Sequence, residues 1–183
     1  FRYVVGGLPM IRGHFPDAKL VVVGSGDPSR YERFLEQNGV TDVVFAGYVP
    51  YDMLARYYAS ADVFCAPSTG RESFGLVLLE GMASGTPIVA ASNAGYSAVI
   101  DNGINGVLTS PKDENALAMG IVRVLADTEF RRRIVANGLE HVQQFAWPVV
   151  AEQVLEVYER AIAARRAGPV QRVWPVGIAG RRG

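Results

Sequence analysis

The sequence predicts an α/β protein, a doubly wound, Rossmann-like parallel sheet followed by C-terminal helices. Three observations carry that reading. Short apolar runs alternate with segments of helical period over residues 19–109. Most of these runs stop at a Gly or Pro, where a strand feeds a loop. After Pro111 the strand signals cease, and apolar residues recur at three- and four-residue spacing as far as residue 166.

The elements follow in order. Leu8, Ile11 and Phe15 continue a helical spacing that Pro16-Asp17 ends. The chain opens inside that helix without Met, so the expectation is a fragment beginning in the tail of a helix. Residues 19–23 form a strand closed by Gly24-Ser25-Gly26-Asp27-Pro28, and a helix over 29–37 stops at Asn38-Gly39. The second strand, 43–46, ends at Gly47, and 51–59 is a short amphipathic helix. The third strand, 62–67, ends on Pro67. An apolar helix is expected over 73–84, a fourth strand over 87–91 and one helical turn over 95–100. Asn102-Gly103 then turns the chain into a short strand, 106–109. The last helices are 114–126, 129–144 and 149–166. The expected domain is 1–166, and the Gly/Pro/Arg-rich residues 167–183 are expected to form a disordered tail. Such sheets are covered on both faces and bind ligands beyond the carboxyl ends of their strands. The strand ends at Gly24, Gly47, Pro67 and Ala91 are therefore expected on one rim.

Composition excludes several functions. With 49% hydrophobic residues in 183, one core needs no metal or disulfide support. Eighteen basic residues balance eighteen acidic ones, so no nucleic-acid partner is expected. Cys65 is the single cysteine and lies in an apolar run, as a buried structural thiol does. His14 and His141 have no metal-ligand spacing around them. Tyr57 and Tyr58 are expected to divide between core and surface, and residues 145–148 to form a packing corner. No apolar run reaches the ~18 residues of a membrane span, and no signal peptide is recognisable. The expected location is cytoplasmic.

The densest signal is Ala66-Pro67-Ser68-Thr69-Gly70-Arg71-Glu72-Ser73-Phe74-Gly75-Leu76-Val77-Leu78-Leu79-Glu80. A strand, a polar loop and a helix starting near Ser73 would leave the N–H groups of its first turn ready for a phosphate. Gly75 would remove a side chain where a ligand approaches the backbone. Glu72 and Glu80 are eight residues apart, about 12 Å of helical rise, so both can face one side. Carboxylates flanking a diphosphate suit the vicinal hydroxyls of a sugar and a ribose. Taken singly, Glu72 is a first-turn acid complementing the helix dipole, and Glu80 a solvated position. Their spacing after a Pro-terminated strand favours the paired function.

Glu72-x7-Glu80, followed by Gly81-Met82-Ala83-Ser84-Gly85-Thr86-Pro87-Ile88-Val89, resembles the C-terminal domain of retaining family-4 (group 1) glycosyltransferases of the GT-B fold. The resemblance covers about residues 1–160, through the Asn102-Gly103-x-x-Gly106 turn to Phe145-Ala146-Trp147. The loop 66–75 looks most like the phosphatidylinositol mannosyltransferase branch. It implies a hexosyltransferase that binds a nucleotide sugar and transfers the glycosyl group, with retention, to a lipid or glycan acceptor. Glu72 is implied to meet donor-sugar hydroxyls as the catalytic residue, and Glu80 to hold the ribose. Ser73, Phe74, Gly75 and Leu76 are implied to meet the donor, with the amides of Phe74 and Gly75 on the diphosphate. Tyr48 and Val49 are implied to lie against the base, and Gly24 and Gly26 to border the cleft. For Tyr48 and Gly24, covering a strand end and closing a turn are equal alternatives.

The resemblance also implies no metal and no cofactor, because a helix start and basic side chains meet the diphosphate charge. The branch resemblance implies GDP-mannose as the first donor and UDP-sugars as the second; Tyr51, standing where that branch would place an acid near guanine, counts against the guanine base. The Arg and Lys that the family sets on the diphosphate would precede Phe1, and Arg2 does not replace them. The acceptor is implied to sit mainly on an N-terminal domain absent from this chain, against which the helix over 149–166 is implied to pack. The piece alone is expected to bind nucleotide weakly and transfer little, and the whole protein is allowed peripheral contact with the inner membrane face.

Four rivals compete. A nicotinamide-dependent oxidoreductase fails because Ser29 stands where its fingerprint needs a third Gly, and no acid closes the strand at Ala46-Gly47. A phosphorylase needs a cofactor-bearing lysine, and only Lys19 and Lys112 are present. A sugar-nucleotide epimerase of the same fold and a non-catalytic nucleotide-binding module both stay open.

Overall fold

The computed structural model describes residues 1–37, 39–41, 43–70 and 72–166. The expected tail, 167–183, and Asn38 of the Asn38-Gly39 helix stop lie outside these residues. Residues 1–143 form one compact unit. It runs α1 (Arg2–His14), β1 (Leu20–Val23), α2 (Ser29–Gln37), β2 (Val43–Gly47), α3 (Tyr51–Ser60), β3 (Phe64–Ala66), α4 (Leu76–Ala83) and β4 (Ile88–Ala91). A 3-10 turn at Tyr96–Ala98, β5 (Val107–Thr109), α5 (Glu114–Ala126) and α6 (Thr128–His141) complete it.

All strand pairs are parallel, as alternation with helices requires. They form two ladders instead of the one expected: β1 with β2, and β3–β4–β5. β3 is only three residues long, too short to offer a long edge to β1.

Alternation along β4 explains why all four of its residues are buried. Ile88 points to α4, where a Cβ on Gly81 would lie 2.7 Å from its Cδ1, while Val89 points to α5, where a Cβ on Gly120 would lie 3.1 Å from its Cγ1. Missing side chains on the two helices thus seat them directly on the strand. Val89 and Val107 join Val4, Val5, Leu8, Ile121 and Ile134 in one core. The first ladder is less covered: Val21 and Val44 are register partners and about half exposed, while Phe34 and Leu35 of α2 pack against the core.

Side-chain caps fix the later helix starts. Asp113 accepts from the Ala116 N–H at 2.8 Å and Asp127 from the Phe130 N–H at 2.9 Å. Cys65 packs against the core, and burial pushes its thiol up to about 12, so it stays protonated at neutral pH.

α7 (Trp147–Arg166) belongs to a second unit. Trp147 is 82% exposed and opens the helix, so the packing corner expected at 145–148 does not extend to its ring.

Candidate functional site

The loop after β3 is tied to the loop after β4 residue by residue. Asn93 Nδ2 donates to the Ser68 carbonyl at 3.1 Å, while Asn93 Oδ1 accepts from the Tyr96 N–H at 3.0 Å and so starts the 3-10 turn. Gly95 sits under the Glu72 backbone so closely that a Cβ there would lie 2.5 Å from the Glu72 carbonyl oxygen. Residues 72–75 are therefore held as a loop, and α4 begins only at Leu76.

This corrects the expected helix start at Ser73 and removes Glu72 from the helix that carries Glu80. The physical reason is Gly75, whose φ of +92° cannot continue a helix and which serves as the N-cap. Its missing side chain makes room for a protein group. A Cβ at Gly75 would lie 2.7 Å and 2.8 Å from two ring carbons of Tyr96. Gly75, as N-cap, makes no side-chain capping bond to α4, and Leu76 is 67% exposed there.

Each acid has a tyrosine interacting with it. Tyr58, in the last turn of α3, donates its hydroxyl to Glu80 Oε2 at 3.0 Å. Burial, then the Glu80 carboxylate, then Tyr96, push the Tyr58 phenol well above its ordinary value. Tyr96 is raised to about 12, first by burial and then by the charge of Glu72, while Ser68 acts the other way. Tyr58 is thus hydrogen-bonded to Glu80 and Tyr96 lies under the influence of the Glu72 charge, and both phenols keep their protons to donate.

The remaining candidates form a separate group. The Gly24 N–H donates to the Gly47 carbonyl at 2.9 Å, so the turn carrying Gly24 and Gly26 adjoins the segment carrying Tyr48 and Val49. Tyr48 is 78% exposed, so its ring does not merely cover a strand end. Among the described residues no group of three or more His, Cys, Asp or Glu could hold a metal ion.

A profile described as "Glycosyl transferases group 1" matches residues 1–127. The chain belongs to that family. Phosphatidyl-myo-inositol mannosyltransferase from Mycobacterium leprae is 40% identical over 158 residues, covering 85% of this chain and 41% of that protein. Sucrose-phosphate synthase from Thermosynechococcus elongatus superposes with a TM-score of 0.77 at 35% identity, over 89% of this chain and 43% of that one. Anabaena HepE in complex with UDP-glucose superposes with a TM-score of 0.75 at 27% identity, over 86% and 44%. The fold is therefore the Rossmann-like α/β architecture of a GT-B glycosyltransferase, and the chain spans about four-tenths of the length of the relatives it matches.

Sequence reasoning on this group 1 glycosyltransferase chain missed Ser68, Asn93, Tyr96 and the polar role of Tyr58. Asn93 carried a usable signal: an Asn three residues before Tyr96, at the start of a short helical turn, is a side-chain cap. Tyr58 carried none, because its partner lies 22 residues away.

Proposed function

We propose that this chain binds a nucleoside diphosphate sugar at the start of α4, and that the whole protein transfers the glycosyl group to a lipid or glycan acceptor with retention at the anomeric carbon. The observation that carries the reading is the pair of acids around the start of α4, Glu72 in the loop before it and Glu80 on the helix, where Tyr58 holds it by a hydrogen bond. The N–H groups of that helix start suit the diphosphate and stabilise its charge as it leaves. Glu72 meets sugar hydroxyls as positive charge develops on the ring, and Glu80 meets the ribose. Ser73, Phe74, Gly75 and Leu76 line the diphosphate, Tyr48 and Val49 the base, and Gly24 and Gly26 the rim. No divalent metal is needed, because protein dipoles and basic side chains do its work.

GDP-mannose is the first donor, supported by the mannosyltransferase relative, and UDP-sugars are second, supported by the UDP-glucose complex of a structural neighbour. The acceptor binds mainly to an N-terminal domain of the whole protein. A lipid acceptor places that protein at the inner membrane face, and no described helix is long and apolar enough to cross a membrane. Titrating the full-length protein with GDP and UDP in parallel tests the reading, followed by NMR of the product anomer formed from GDP-mannose. Tighter binding of GDP and an α-linked product are expected. Binding of neither nucleotide would overturn it.

A further inference from the structure

We infer that Tyr58 is a positioning residue: its hydroxyl, donated to Glu80 Oε2 at 3.0 Å, fixes that carboxylate with Oε1 left to accept from the nucleotide diol. The inference rests on the ribose role proposed for Glu80 and adds a residue from a different helix to it.

Both ends of the contact are anchored. Tyr58 is buried, and its ring meets Phe64 edge-on at 5.0 Å and 87°. Its carbonyl accepts from Thr86 Oγ1 at 2.6 Å, and Thr86 is itself only 3% exposed. On the other side, Ser84 Oγ donates to the Glu80 carbonyl at 2.9 Å and steadies the helix turn that carries the acid. A glutamate on a helix otherwise samples several rotamers, and ordering them on binding opposes affinity. Here that ordering precedes the ligand, the arrangement expected of a side chain supporting a binding group. Burial and the charge of Glu80 keep the phenol protonated, so it acts as donor throughout the physiological range.

A buried tyrosine hydroxyl needs a partner in any fold, so the test must separate positioning from simple satisfaction of a polar group. Tyr58→Phe keeps the ring and its contact with Phe64. Affinities for GDP and for 2′,3′-dideoxy-GDP are measured on the full-length protein, with Glu80 intact and with Glu80→Ala. UDP and its dideoxy form replace them if UDP binds more tightly. Tyr58→Phe should weaken the ribonucleotide about three- to tenfold and the dideoxynucleotide less than about twofold, with no further loss in the Glu80→Ala background. The ratio of the two affinities is internal to each protein, so a partly destabilised variant still reads out. Equal weakening of both nucleotides would reduce Tyr58 to a structural role. No weakening by Tyr58→Phe, where Glu80→Ala weakens the ribonucleotide, would mean that Glu80 holds the ribose unaided. If Glu80→Ala leaves the ribonucleotide unaffected, the ribose role itself falls and Tyr58 falls with it.

Discussion

Three glycine-to-alanine substitutions separate backbone strain from steric exclusion around Glu72. Gly85 has φ +72° and open space where a Cβ would stand, so alanine there meets only left-handed strain, about 1 kcal/mol. Gly95 is the reverse case, with ordinary helical backbone at φ −67° and ψ −46°. A Cβ on it would lie 2.5 Å from the Glu72 carbonyl oxygen, 2.9 Å from the Glu72 carbonyl carbon and 3.0 Å from the Phe74 nitrogen. Those atoms are backbone and cannot rotate away, so overpacking of about 1–3 kcal/mol must displace the Glu72 segment itself. Gly75 combines both effects, with φ +92° and two Tyr96 ring carbons at 2.7 Å and 2.8 Å, for a loss of about 2–5 kcal/mol. Tyr96 is only 3% exposed and has little room to yield. Urea midpoints at unchanged m-value should fall in the order Gly85→Ala, Gly95→Ala, Gly75→Ala, the last losing most. Transfer measured well below the unfolding transition should drop for Gly95→Ala and Gly75→Ala but not for Gly85→Ala. If Gly95→Ala matches Gly85→Ala in both stability and transfer, the packing of the 72–75 loop on Gly95 is refuted.

Two further predictions follow from the same site. Transfer by the full-length enzyme should survive exhaustive chelation, and activity that vanishes with chelator and returns with magnesium or manganese would contradict the proposed role of the helix start. Tyr96 ionises at about 12 in the folded protein against 10.0 as its ordinary value, so the native state holds the proton longer. Stability should be intact below pH 10 and fall as pH rises toward 12, and Tyr96→Phe should make that alkaline fall shallower in denaturant titrations.

The architecture could be read from the sequence because strand and helix periods differ and Gly or Pro separates them. α2 and α5 fall on the expected boundaries, and β4 on its apolar run. The break between the two ladders could not be read, because pairing between β1 and β3 depends on edges that no local pattern describes. At the site, the acids stood out by type and spacing, but the helix drawn between them was wrong by three residues. Leu76-Val77-Leu78-Leu79 continues Ser73-Phe74 in hydropathy, and nothing local reveals that Gly75 takes a left-handed φ. The groups packed against this segment, Tyr96 and Gly95, follow only after β4. Tyr58 was hidden for the same reason: its contact is tertiary, and its sequence position resembles that of any core tyrosine.

The central claim is that Glu72 acts on the sugar and not on the nucleotide. Glu72→Gln in the full-length enzyme keeps the shape and the capacity to hydrogen-bond, so folding should be preserved. Affinity for the free nucleoside diphosphate, measured by titration, should stay within about twofold of wild type, because the site meets the diphosphate and ribose through other groups. Single-turnover transfer should fall by about two orders of magnitude or more, since the carboxylate's contact strengthens as charge develops on the ring. Wild-type turnover in Glu72→Gln, or a loss confined to nucleotide affinity, would contradict the account.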